Sequence, residues 1–76
     1  MGKQKQIATS ILAEALGIEA DQVSDDAGIG LTPQWDSLAH MRIILALEDH
    51  LGKMLAPEMI LRISNFSDVE ECLSAT

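Results

Sequence analysis

The residues best placed to do chemistry lie together mid-chain, at Asp36-Ser37-Leu38. An aspartate just before an apolar-periodic run signals a helix start, and Gly52 just after the run signals its end. Asp36 is therefore expected at the N-cap and Ser37 in the first turn. That puts a hydroxyl on the rim of a helix N-terminus, where backbone N–H groups lack intrahelical partners and the dipole favours negative charge. A phosphate joined to this serine would be electrostatically at home.

Other chemistry finds little support. Ser37 has no triad; His40 stands three residues on, where it could face the hydroxyl as a weak base, and no nucleophile elbow surrounds the serine. His40 and His50 are ten residues apart, and no Cys/His pair has a zinc-site spacing. Cys72 is the single cysteine, which excludes an intrachain disulfide and fits a packed, inert thiol. Gly28-Ile29-Gly30 lacks the further glycine and lysine of a phosphate-cradling loop. The chain reads as a non-enzyme.

The serine needs a scaffold, and 76 residues suffice for one domain, taken as 1–76. Ile7, Ala8, Ile11, Leu12, Ala15 and Leu16 recur at helical spacing and predict a first helix from about Lys3 to Leu16, with Gly17 at the C′ position. A long connection from Ile18 to Trp35 follows, rich in turn residues and expected to be pinned by Ile18, Val23 and Ile29 or Leu31. A short helical turn over Ala20 to Val23 is compatible with it. The second helix, Ser37 to Leu51, carries two apolar stripes. Ile43, Ile44, Leu47 and Leu51 form one, and Leu38, Met41, Leu45 and the stem of Glu48 form the other. The second stripe is either extra core or a surface kept for a partner; on pattern alone the bundle explanation is the better bet. Pro57 opens a short helix to about Leu61. Ser67 is expected to cap a last helix, Asp68 to Ser74, with Glu70 at capping-box spacing, Phe66 at the staple position, and Val69, Cys72 and Leu73 inward. No segment alternates with strand periodicity. The fold class is an all-α four-helix bundle of three longer helices and a short third one.

Twelve acidic residues against five basic ones, a formal charge of −7, argue against nucleic acid and suit a soluble protein that meets basic patches. No apolar run reaches membrane-spanning length, and the N-terminus lacks a signal peptide's apolar stretch, so the cytoplasm is the expected location.

Asp36-Ser37-Leu38 at a helix start resembles the phosphopantetheine-attachment motif of acyl carrier proteins. The resemblance extends over nearly the whole chain: Leu16-Gly17-Ile18, Val23-Ser24-Asp25, the step of twenty residues from Gly17 to Ser37, Ala46-Leu47-Glu48-Asp49 and Pro57-Glu58. It implies that Ser37 carries 4'-phosphopantetheine, transferred from coenzyme A by a phosphopantetheinyl transferase, with an acyl group held on the arm's thiol as a thioester. Asp36 matches the motif acid. Leu38, Met41, Leu45 and Glu48 match the family's partner-facing stripe, which assigns the other stripe to the bundle. In some members the apolar interior also shelters an acyl chain. The implied role is a stand-alone, monomeric carrier for fatty-acid, polyketide or other acyl-processing enzymes, served by acyl-activating and acyl-transferring partners. A peptidyl or aminoacyl carrier and an unmodified acidic helical adaptor are the alternatives. Two departures stand out. Ala39, His40 and Arg42 make the front of helix two less acidic than is usual, so partners with a different docking patch from ordinary fatty-acid synthase enzymes are expected. The loop Gly30-Leu31-Thr32-Pro33-Gln34-Trp35 replaces the acidic, glycine-containing approach to the serine usual in the family, and Trp35 beside the motif either packs under the arm, reports on its attachment, or anchors the loop against helix two, the last being the plainer reading.

Overall fold

The structure, a computed structural model, describes residues 2–74. Four helices form it: α1 Gly2–Leu16, α2 Ser37–Leu51, α3 Pro57–Arg62 and α4 Phe66–Ser74. A single 3-10 turn at Ala20–Gln22 interrupts the long connection between α1 and α2. This is the all-α bundle that the periodicities predict, with a short third helix.

Apolar spacing explains the packing. Ala8, Leu12, Ala15 and Leu16 present one buried stripe of α1 to both α2 and α4. Ile43, Ile44 and Leu47 of α2 meet it, and Phe66, Val69, Cys72 and Leu73 close it from α4. The side chains of Leu12, Ile43, Ile44, Leu47, Phe66 and Val69 are fully enclosed. α3 is held more lightly: it contributes only the half-buried Met59 and Ile60 to the core's edge. Gly17 and Gly52 end α1 and α2 in the left-handed conformation, each at φ 72°, where a side chain would strain the backbone.

The long connection is pinned only in part by the apolar residues expected to hold it, and backbone hydrogen bonds order the rest. Ile18 and Val23 do pack against the core. Ile29 and Leu31 do not: they are 50% and 78% exposed. Ala27 and Trp35 are buried in their place. The reason lies in the backbone. Phe66 N–H donates to Ala27 C=O at 2.9 Å and Ile29 N–H to Ser64 C=O at 2.9 Å, so that Gly28 and Asn65 form an antiparallel bridge. A Cβ on Gly28 would stand 3.1 Å from the Ser64 carbonyl oxygen, so glycine permits the approach. Bridging through Gly28 fixes which neighbours turn inward and leaves Ile29 on the rim.

The same bridge corrects the start of α4. It begins at Phe66, ahead of the Asp68 expected, and its cap is Asn65 rather than Ser67. Asn65 Oδ1 accepts from Asp68 N–H at 2.8 Å. The Asp68 carboxylate in turn accepts from the Ser64 N–H at 3.0 Å and from its hydroxyl at 3.1 Å. Phe66 thus sits in the first turn and is buried, instead of stapling from outside the helix.

Candidate functional site

Ser37 is the first residue of α2 and is exposed. Asp36 precedes it in extended conformation, as an N-cap should, and its Oδ1 accepts from Ala39 N–H at 2.9 Å. The Asp36 carbonyl accepts from His40 N–H, also at 2.9 Å. These bonds satisfy the third and fourth N–H groups of the helix. Those of Ser37 and Leu38 head a helix that offers them no intrahelical acceptor.

The loop delivers the chain to this point through successive tight turns. Leu31 and Thr32 N–H donate to the Gly28 carbonyl, and Trp35 N–H donates to the Thr32 carbonyl at 2.9 Å. Trp35 is 2% exposed, so it is the loop anchor against α2. Its indole Nε1–H donates to Nδ1 of His40 at 3.2 Å, with the ring planes 27° apart. The other nitrogen of His40, Nε2, lies 3.3 Å from the carbonyl oxygen of Ile60 in α3. Because Nδ1 must accept, Nε2 carries the proton and donates to Ile60. Both ring nitrogens are thereby engaged away from Ser37, which removes the geometry for His40 to act as its base.

Beside the hydroxyl runs a groove of about 450 Å³ lined by Ile29, Trp35, Asp36, Ser37, His40 and Met41. Sequence reasoning singled out most of these residues separately but not the groove. The bond between Trp35 and His40, five residues apart across a helix start, follows no periodicity that could have announced it. Leu38, Met41 and Leu45 stand 51% to 61% exposed along the outer face of α2. Arg42, exposed as well, is the only charged residue on α2 between Ser37 and Leu47. Glu48, at the edge of the same stripe, is half-buried, and its carboxylate accepts from Leu55 N–H at 2.9 Å, bracing the turn into α3.

Cys72 is buried in α4, and that burial pushes its thiol above the ordinary value despite a weaker opposing pull from Lys53. It takes no part in this site.

Residues 6–73 match the family described as the phosphopantetheine attachment site. The chain therefore belongs to that family, whose members carry 4'-phosphopantetheine covalently on a serine. It is a carrier domain of this class, and its group is compatible with the site: an exposed hydroxyl, a helix start that favours negative charge, and an adjoining groove. No helix among the described residues is long and apolar enough to cross a membrane.

Proposed function

We propose that residues 1–76 form a single acyl carrier domain and that Ser37 is the residue that bears the arm. One observation carries the assignment. Ser37 alone joins an exposed hydroxyl to an aspartate-capped N-terminus of a long helix and to an apolar groove. The other serines serve differently. Ser24 Oγ accepts from Asp26 N–H, and the Ser64 hydroxyl donates to Asp68. Ser10 lies within α1, and Ser67 and Ser74 within α4, away from this groove.

On this reading the Ser37 hydroxyl oxygen forms a bond to the phosphorus of coenzyme A next to the pantetheine. The bond from that phosphorus to the nucleotide part breaks, and the hydroxyl proton passes to a base on the phosphopantetheinyl transferase. The attached group supplies a thiol on which an acyl chain is held as a thioester. This chain's residues hold the phosphodiester rather than react further. The Asp36 cap fixes the first turn, and the N–H groups of Ser37 and Leu38 face the added charge. Leu38, Met41 and Leu45 offer acyl-activating and acyl-transferring enzymes an apolar contact, with Glu48 at its edge. Arg42 among them suits a partner that brings a carboxylate there rather than the lysine or arginine that acidic carriers meet. The family match supports a phosphopantetheine carrier; work in fatty-acid, polyketide or other acyl metabolism in the cytoplasm is the finer part of this proposal.

Intact mass before and after incubation with coenzyme A and a promiscuous transferase tests the proposal, with Ser37→Ala in parallel. The expected result is a gain of one phosphopantetheine in the wild type and none in the variant. No gain by a folded wild-type protein, with more than one transferase tried, would leave the unmodified adaptor. Loading of the arm by an amino-acid-activating enzyme in place of an acyl-activating one would shift the reading to a peptidyl carrier.

A further inference from the structure

His40 occupies an unusual place on α2. At 100° per residue it falls in the middle of the inward stripe, between Leu47 and Leu51, and not on the outer face with Leu38 and Met41. A leucine there would extend the core to its end without needing any partner. Instead a histidine stands there, half-buried, with Trp35 donating to one nitrogen and Ile60 C=O facing the other. It ties three segments together: the loop before Ser37, α2 itself and the lightly held α3. It also lines the groove beside Ser37. An acyl chain folding back from Ser37 toward the core meets Trp35 and His40 first. Behind them Ile43, Ile44 and Leu47 are already enclosed.

We infer that His40 closes the Ser37 end of the bundle and restricts this carrier to acyl groups held outside it, short or polar ones rather than long alkyl chains. The inference rests on the reading of Ser37 as the attachment residue and names the class of cargo for it. The physical reason is polar satisfaction. A chain that wedges between α2 and α3 must displace the imidazole. It then leaves the buried indole N–H of Trp35 and the Ile60 carbonyl without partners, and alkyl carbon can replace neither bond. A groove floored by Trp35 and edged by Ile29 and Met41 gives a short acyl group some apolar contact without that loss.

The test loads the wild-type chain from acetyl-, hexanoyl- and octanoyl-coenzyme A with a promiscuous transferase and confirms each product by intact mass. Thermal midpoints and the indole N–H resonance of Trp35 are then compared across the series, for the wild type and for His40→Ala. The wild type is expected to show the same midpoint and the same indole resonance whatever the chain length. His40→Ala is expected to gain stability from acetyl to octanoyl as the interior opens. A wild-type midpoint that climbs with chain length, with a moving indole resonance, would overturn the inference and leave the attachment reading intact. A flat series in a folded His40→Ala would overturn the assignment of closure to His40. The wild-type series decides the matter even where the variant does not fold. A folded chain that accepts no acyl arm at all overturns both readings together.

Discussion

His40→Ala isolates the polar tie that joins the Ser37 end of α2 to the Trp35 loop and to α3. Two losses follow from the geometry. The Trp35 indole N–H, on a side chain 2% exposed, loses its acceptor, and an orphaned buried donor costs about 1–3 kcal/mol. The half-buried imidazole also leaves its packing, worth roughly 1 kcal/mol at ordinary transfer values. The Ile60 carbonyl loses its partner as well, a smaller cost because Ile60 is only half-buried. The sum is about 2–4 kcal/mol. At roughly 0.05–0.15 kcal/mol per residue, a chain of 76 residues has a total stability of about 4–11 kcal/mol. The variant therefore gives up a large share of its stability, and its thermal midpoint drops by roughly 10–25 °C.

Urea unfolding followed by circular dichroism measures this directly, and a double-mutant cycle with Trp35→Phe assigns it. Trp35→Phe removes the donor, so no orphan remains for His40→Ala to create. In the Trp35→Phe background the second substitution then costs less, by about 1 kcal/mol or more. Additivity within about 0.3 kcal/mol would show that the indole–imidazole bond contributes nothing. A single-variant loss below about 1 kcal/mol would refute the argument that the indole is left unpaired.

Two further outcomes follow from the same physics. Asp36→Ala removes the cap on Ala39 N–H and costs about 1 kcal/mol, a drop of roughly 4–8 °C in thermal midpoint; an unchanged midpoint would contradict the capping geometry. Cys72 has its thiol raised above 9.0 by burial, so the folded chain keeps that proton where the unfolded chain loses it. Its contribution is intact below pH 9.0 and stability falls as pH rises from there through the folded value; Cys72→Ala should flatten that decline, and alkylation of the wild type should proceed at the rate of unfolding.

Much of this architecture is legible in the sequence because helical periodicity reports it. The inward stripe of α1, the limits of α2 between Asp36 and Gly52, and Pro57 at the start of α3 each rest on a local rule that nothing overrides. What escapes is decided by contacts between distant segments. Asn65 and Ser67 are both good N-caps, each with an acidic residue three positions on. The bridge from Gly28 to Asn65 selects Asn65, because Phe66 N–H is committed to Ala27. The loop between α1 and α2 has no period, so residue size suggested Ile29 and Leu31 as anchors. Backbone pairing instead turned Ala27 and Trp35 inward. At the site, the position of Ser37 on α2 was readable from capping alone, whereas the groove required knowing where Trp35 points.

The two stripes of α2 show how one helix serves both the fold and its surroundings. Ile43, Ile44 and Leu47 are at most 2% exposed and belong to the core. Leu38, Met41 and Leu45 lie more than half exposed on the far side, so the bundle draws little stability from them. Apolar residues left adjoining on a surface are a mark of contact with a partner. Since the outer residues touch little of the core, substitutions there are expected to cost the fold less than substitutions in the inner stripe. His40 belongs to neither set: it takes an inward position but keeps hydrogen-bonding demands. Those demands are met only while Trp35 and α3 stay in place. The helix therefore keeps its exposed apolar residues apart from its core-forming ones, and His40, on the inward side next to the serine, adds a polar tie to the loop and to α3.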